Sequence, residues 1–348
     1  MTELHSADPA ATLRARNDAL AKTEGPQRAR NRAQALGVSE AQWVAAQCDG
    51  VQATPLKGSA QAIFKAIATL GEVMALTRNA WCVHERHGQY QNIQAEGHVG
   101  LVLGPDIDLR VFFANWKHAW AVEQSGRHSI QFFDSEGTAI HKVYCTPATD
   151  MAAYTALVAQ FSGTPRWPDI EPYAASTDAN EVSEPAAFRA AWLAMKDTHD
   201  FFPLLRKFKV SRLAALHAAG TDLAQRVPAD TAEHVLQACA QSGLPIMCFV
   251  GNRGIIQIHT GTIETLRRTG PWFNILDPRF NLHLDTTAID TAWIVNKPTA
   301  DGWVTSLEVY ASTGDLIVQF FGERKPGKPE LPAWRSLLSG MCPQPLAA

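Results

Sequence analysis

The chain reads as one pattern written twice. Ala35–Ala46 (ALGVSEAQWVAA) aligns with Lys207–Ala218 (KFKVSRLAALHA), so that Val38-Ser39 falls on Val210-Ser211. Glu72–Asn79 (EVMALTRN) aligns with Pro245–Asn252 (PIMCFVGN), and Ser129–Tyr144 (SIQFFDSEGTAIHKVY) with Ser306–Phe321 (SLEVYASTGDLIVQFF). Three matches in the same order predict an internal duplication, so whatever the first copy builds the second must build again. The expected division is 1–168 for the N-terminal repeat, 169–184 for a linker and 185–348 for the C-terminal repeat. Asp169–Ser183 (DIEPYAASTDANEVS) is rich in Ser, Thr and acidic residues and has no helical apolar stripe, which is how a linker reads. With 348 residues, each copy is long enough to bury its own core.

Within each copy, helical segments come first and strands follow. Helices are predicted over Pro185–Leu205, Ser211–Ala219, Ser59–Leu70 and Asp230–Ser242. Pro185 suits a first helical turn, where its missing N–H costs nothing, and Ser39 and Ser211 suit N-caps. Strands are predicted over Ile246–Val250, Ile255–His259, Leu282–Leu284, Trp293–Val295, Val304–Tyr310 and Leu316–Phe320. Asn252-Arg-Gly254, Ser312-Thr-Gly314 and Ser135-Glu-Gly137 read as hairpin turns. Short connections between strands favour antiparallel pairing, so the expected class is α+β, duplicated, each half a mostly antiparallel sheet with flanking helices.

Composition narrows the function. Apolar residues make up 46% and charged residues 19%, which excludes wholesale disorder. The formal charge of −3 argues against a protein that coats nucleic acid. Six scattered cysteines without a CxxC argue against a zinc site or a disulfide framework and read as reduced thiols of a cytosolic protein. No secretory h-region and no run of 18 apolar residues is present, so a cytoplasmic location without membrane insertion is expected. Ten Trp and fifteen Phe either line a large flat ligand or fill the core.

No phosphate cradle, HExxH or GxSxG is present, so the candidates are single residues. His199 lies in Trp192-Leu-Ala-Met-Lys-Asp-Thr-His-Asp-Phe-Phe202. An imidazole beside two rings at a helix end can ligate a flat aromatic metal complex; the alternative is a hydrogen-bonded structural histidine. Arg110 shares a strand face with Asp108 and Phe112, and it either points into a pocket or pairs with Asp108 in solvent. Arg212, Lys297 and Arg324 are dispersed cations that would hold a dicarboxylate if they converged; otherwise they are surface charges. His84 and His87 lie three apart, but in a region that reads as strand and turn, which disfavours a metal site. His217 and His259 read as structural. Arg28–Ala45 outlines a helix-turn-helix, or an ordinary helical hairpin packed on a sheet; the repeated hairpin in the second copy favours the latter.

Taken together, these residues resemble the bacterial haemin-degrading, haem-uptake family (HemS/HmuS/ChuS-like). The resemblance runs from about Arg28 to Leu338. It is carried by Met195-Lys-Asp-Thr-His-Asp-Phe-Phe202, Val250-Gly-Asn-Arg-Gly254, Trp272-Phe-Asn-Ile275, Lys297-Pro-Thr-Ala-Asp-Gly302, Val304-Thr-Ser-Leu-Glu308 and Gly104-Pro-Asp-Ile-Asp-Leu-Arg110. It implies haem b in a cleft between the repeats, with His199 as axial ligand to the iron. Arg110 matches the arginine that hydrogen-bonds the oxygen ligand on the other side, and Phe112 an apolar position there. Arg212, Lys297, Gln319 and Arg324 match positions that face the porphyrin carboxylates or close the pocket. Phe321 stands where the family usually has Tyr, so one phenolic hydrogen bond is missing.

The implied activity is haem degradation by ring opening with iron release, driven by an external electron donor, with Arg110 and His199 as the catalytic pair. The alternative is a chaperone that hands haem to a separate haem oxygenase, with a DNA-binding regulatory role in addition. The implied partners are haem, a haem importer on the cytoplasmic side, or a downstream oxygenase; nucleic acid is not expected. His199 and Arg212 have no chemical equivalents in the first copy (near Gln27 and Glu40), which fits one asymmetric site better than two.

Overall fold

The computed structural model describes residues 8–25, 27–325 and 327–348. They form two compact units, each with its own helices, strands and core.

The first unit comprises Met1–Arg78, Glu85–Ala174 and Gly251–Gln257. It opens with helices α1 (Pro9–Glu24), α2 (Ala29–Ala35) and α3 (Glu40–Ala45), then runs through β1 (Gln52–Pro55), α4 (Ala60–Ala66), β2 (Gly71–Arg78), β3 (Cys82–Gly88), β4 (Val99–Leu103), β5 (Asp108–Phe112), β6 (His118–Gln124), β7 (Arg127–Phe133), β8 (Ala139–Thr149) and α5 (Met151–Phe161). Ser39 caps α3 as expected: its hydroxyl accepts from the Gln42 N–H at 3.1 Å, and the Gln42 side chain accepts from the Ser39 N–H at 3.0 Å. The strand order is β1-β6-β7-β8-β2-β3, with antiparallel register along β1–β6–β7–β8–β2. Phe64 sits at the centre of this core, met edge-on by Tyr90, Phe113 and Trp116 at 5.6–5.7 Å.

The turn Asn252–Gly254 is part of this unit. Asn252 Nδ2 donates to the carbonyls of Arg78 (2.9 Å) and Ile140 (2.8 Å), and the Trp116 indole N–H donates to the Gly254 carbonyl (2.9 Å). A Cβ on Gly254 would stand 2.6 Å from Ile140, so only glycine permits this approach.

The second unit comprises Asn79–His84, Ala175–Val250 and Ile258–Ala348. Its elements are α6 (Pro185–Leu193), α7 (Phe201–Phe208), α8 (Arg212–Ala219), β9 (Ala224–Val227), α9 (Thr231–Ser242), β10 (Ile246–Gly251), β11 (Ile255–Gly261), β12 (Leu266–Thr269), β13 (Trp272–Leu276), β14 (Phe280–Asp285), β15 (Thr291–Thr299), β16 (Gly302–Tyr310), β17 (Leu316–Gly322) and α10 (Pro332–Ser339). Its order, β9-β15-β16-β17-β10-β11, repeats that of the first unit strand for strand. The duplication is therefore real at the level of topology. α9 and α10 pack on one face of this sheet, against Ile294, Leu307, Val309, Val318 and Phe320. α6, α7 and α8 pack with Trp293, Val295 and Tyr310.

Two expectations change and a third holds. The single helix over Pro185–Leu205 is broken: α6 ends at Leu193 and α7 starts at Phe201. Asp197 causes the break, because its carboxylate captures the His199 N–H at 2.8 Å and starts a new turn. α1, α5, α10, β9, β12 and β13 fall outside the predicted segments; the three strands are short or charge-bearing and carry no clean alternation. Finally, the hairpin α2–α3 packs into a core with Trp43 and Trp120. Arg32, in the segment that outlines a helix-turn-helix, is buried and donates to the Gly25 carbonyl, so it is not offered to an outside partner.

Candidate functional site

The second unit gathers most of the candidate residues on one sheet face. The register pairs Trp293 with Glu308, Val295 with Ser306, Glu308 with Gln319, Ser306 with Phe321, Gln319 with Phe249 and Phe321 with Met247. Paired residues share a face, so this one row crosses β15, β16, β17 and β10. Helices α6–α8 close its first half. Over β17 and β10 the same face stays half-open: Gln319, Phe321, Phe249 and Met247 are all half-buried. The rings of Phe249 and Phe321 meet edge-on at 5.0 Å and form an apolar floor.

Beside that floor lies a buried polar cluster. Glu308 is fully buried and accepts from Arg212 Nε (2.9 Å) and Nη2 (2.8 Å), Lys297 Nζ (2.8 Å), Ser306 Oγ (3.1 Å), Tyr310 OH (2.5 Å) and Gln319 Nε2 (3.0 Å). Burial opposes the charge on Glu308, but Arg212 and then Lys297 outweigh it and hold the carboxyl well below its ordinary range. Burial, reinforced by the positive charge of Arg212, pushes Lys297 down to about 8 despite Glu308. Phe201 lies beneath both cations, with Lys297 Nζ 4.6 Å and the Arg212 guanidinium 4.9 Å from its ring centre. Arg212 and Lys297 are thus neither surface charges nor free clamps; they converge, but on an internal carboxylate.

His199 stands at the start of the turn that leads into α7. Its Nδ1 donates to Asp197 Oδ1 at 2.5 Å, and the same oxygen accepts the His199 backbone N–H. That N–H, then the imidazole, lowers the Asp197 carboxyl below its usual value; the positive charge of Arg324 contributes too. With Nδ1 anchored, Nε2 keeps its lone pair outward on a side chain that is 88% exposed. Phe202, 58% exposed, follows it. Arg324 is mostly buried, with Nη2 3.9 Å from the Asp301 carboxylate and a buried Nε that lacks a hydrogen-bond partner.

Arg110 and Phe112 lie on β5 in the first unit, half-buried and alternating with buried Leu109 and Val111. The guanidinium donates to the Asp108 carboxylate and, at 3.2 Å, to the Leu109 carbonyl, so the pairing with Asp108 forms. His84 is buried on strand β3, and no cluster of three metal-ligating side chains occurs among the described residues. His217 packs edge-on against Trp293 at 4.7 Å, and His259 stacks on Phe280 at 3.7 Å.

Two functional residues escaped sequence reading. Glu308 is the hub of the cluster, and its signal was an acid at the same parity as Ser306 and Tyr310 in an otherwise apolar strand. Asp197 orients His199; its signal was an Asp two residues ahead of the histidine at the end of a helix.

Comparison with known proteins shows the family. The haemin-degrading HemS/ChuX domain matches the chain twice, over residues 37–161 and 209–341. The hemin transport protein HemS of Yersinia enterocolitica is 42% identical over 338 residues, covering 94% of this chain and 97% of its own. Holo-PhuS, a haem-binding protein from Pseudomonas aeruginosa, superposes with a TM-score of 0.91 at 42% identity, over 95% of this chain and 99% of its own. ChuS, an Escherichia coli haem oxygenase, superposes with a TM-score of 0.87 at 35% identity, over 95% of this chain and 100% of its own. No helix among the described residues is long and apolar enough to cross a membrane. Two tandem copies of one domain, matched end to end by these relatives, establish that the chain belongs to the haemin-degrading HemS/ChuX family.

Proposed function

We propose that the protein binds one haem, with His199 Nε2 as the axial ligand to its iron, and opens the macrocycle to release the metal. The observation that carries this reading is the state of His199: an exposed imidazole whose inner nitrogen is fixed by a carboxylate and whose outer nitrogen is unengaged. The surroundings fit a flat, dianionic ligand. Phe249, Phe321 and Met247 offer an apolar floor, and Arg324 carries a buried donor still in need of an acceptor. Arg212, Lys297 and Glu308 together leave one net positive charge beside that floor, which favours carboxylates without a direct bond to them.

Bound haem supplies the redox chemistry, given an external reductant and dioxygen. The chain's own residues do the rest. Asp197 holds the proton on Nδ1, which fixes the ring plane and makes Nε2 a better donor to iron. Gln319 is held by Glu308, so its position at the floor is rigid. Arg110, oriented by Asp108, is assigned the oxygen-side hydrogen bond and Phe112 the apolar contact beside it. The HemS relative, a hemin transport protein, supports a place after uptake, with haem received on the cytoplasmic side from an importer.

The test is to load haem without oxygen, then add a reductant and air. Loss of the Soret band with formation of an open tetrapyrrole and free iron is expected. Intact haem that moves only to an added oxygenase would instead make the protein a carrier. His199→Ala is expected to shift the Soret band and accelerate haem release by at least tenfold, whereas Arg110→Ala keeps haem and slows ring opening by one to two orders of magnitude, about 1.4–2.7 kcal/mol. Parent-like spectra and off-rate in His199→Ala would remove it as the ligand.

A further inference from the structure

The first unit contains a cavity of about 350 Å³ that none of the haem-site residues lines. It lies where β1 gives way to α4, beside the start of β6 and the chain that follows α5. Backbone bonds fix its walls: the Leu56 N–H donates to the Ala119 carbonyl (2.9 Å), the Lys57 N–H to Phe161 (2.7 Å) and the Gly163 N–H to Pro55 (2.8 Å). The site is therefore held by main chain and does not depend on loose side chains.

Its lining separates into two chemistries. Ile63, Trp116 and Phe132 form the floor and are at most 6% exposed. The Trp116 indole N–H is already spent on the Gly254 carbonyl, so the floor presents carbon and no free donor. Lys57, Lys117 and Arg166 form the rim, and no Asp or Glu lines the cavity. None of the three makes an ion pair among the described residues, and all three are exposed. His118, also in the lining, donates from Nε2 to the Asp169 carbonyl at 3.0 Å and adds no negative charge.

Three cations without an ion-pair partner, against the one nearby carboxylate of Asp169, leave a net positive rim around an apolar floor, which attracts an anion with a hydrophobic body. The volume is at the small end for ligand pockets, which run from about 300 to 1,000 Å³. It admits an aromatic or short aliphatic acid and is too small to enclose a porphyrin. We propose that this cavity binds a small amphipathic carboxylate, with its apolar body on Ile63, Trp116 and Phe132 and its carboxylate held by Lys57, Lys117 and Arg166.

Calorimetric titration of the full chain with naphthalene-1-acetate, and with the matching uncharged naphthalene-1-acetamide, tests this. One acid per chain is expected, with the amide at least tenfold weaker. The double variant Lys117→Glu/Arg166→Glu changes two exposed side chains, so the fold persists; its affinity for the acid should fall at least tenfold, to that of the amide. Ala60→Trp, which fills the cavity from α4, should abolish binding of both. The haem spectrum of each variant should match that of the parent, which keeps this test independent of the haem reading. Equal binding of acid and amide, unchanged affinity in the charge-reversed variant, or no binding of the acid at millimolar concentration would each overturn the proposal.

Discussion

The two units place buried charge at equivalent points of equivalent strand arrangements and use it differently. In the second unit, Trp293, Glu308 and Gln319 are neighbours across β15, β16 and β17; in the first, Trp120, Gln131 and Lys142 are neighbours across β6, β7 and β8. The helix above supplies Arg212 in the second unit and, at the matching position, Glu40 in the first. The first unit bonds one acid to one base, Glu40 and Lys142, both nearly buried, and the positive charges of Arg78 and Arg30 also act on Glu40. Gln131 donates to Ser129, whereas in the other copy the direction reverses and Ser306 donates to Glu308. The second unit sets two bases against one acid and adds an exposed histidine on the turn before it. In the first copy one acid bonds directly to one base; in the second, one fully buried acid bonds directly to two. Duplication supplied the scaffold, and a reversal of charge at a few inward positions separates a packing layer from a site.

The largest effect that would sharpen this contrast is on stability. Glu308→Gln leaves Arg212 and Lys297 buried without a counter-ion, and unfolding of the second unit should become easier by about 3–5 kcal/mol. The double variant Glu40→Met/Lys142→Met removes both partners of the first unit's pair and should change stability by less than about 1 kcal/mol, or raise it. Denaturant melts of both variants check this, and equal losses would break the comparison.

Acid should separate the units next. His141 is fully buried between Thr77 (2.8 Å) and Tyr90 (2.5 Å), and burial lowers it to about 3. Its counterpart in the second unit is Val318, which does not titrate. A histidine lowered on folding contributes fully above its ordinary value near 6.5 and loses that contribution as pH falls toward 3. At pH 4 the loss is about 3 kcal/mol. Hydrogen exchange should show β7 and β8 losing protection before β16 and β17. The reverse order would show that another group governs acid unfolding.

Asp197→Asn tests the feature with no counterpart in the first unit. The exposed turn should still form, with weaker support for the imidazole. Haem affinity should fall about tenfold, the low end for loss of a ligand's partner, because this carboxylate is exposed. The reduction potential of bound iron should rise, because a less basic imidazole stabilises the ferric state less. An unchanged potential would reduce Asp197 to a helix cap. The smallest effect is expected of Phe321→Tyr, which adds a hydroxyl at the half-open floor where the first unit already has Tyr144. Haem binding should tighten by no more than about 1 kcal/mol. A loss of binding would mean that the floor has no room or partner for the hydroxyl.

Most of the fold was legible because its signals are local. Ser39 and Ser211 cap helices because a hydroxyl at that position satisfies orphan N–H groups whatever surrounds it. The runs Val304–Tyr310 and Leu316–Phe320 are strands because alternate side chains must face opposite sides. The short or charged strands β9, β12 and β13 were not legible, because pairing with neighbours, not pattern, makes them strands. His199, Arg110, Arg212, Lys297 and Arg324 could be picked out as candidates from the chain alone. Their states could not. Whether a lysine is solvated or buried on a carboxylate depends on Glu308, eleven residues away in sequence and one strand away in space. Whether His199 is free to bind depends on Asp197 interrupting a helix that the apolar pattern carries straight through.

The sequence by itself determined the duplication, the α+β class and the order of most elements, since each follows from residue spacing and short-range chemistry; the family followed from the resemblance of its motifs. Only the tertiary structure decided that two cations share one buried acid, that the first copy bonds one acid to one base, and that three basic residues from three separate segments surround an apolar cavity. Those are matters of charge and burial, and both are set by what the fold brings together across long stretches of chain.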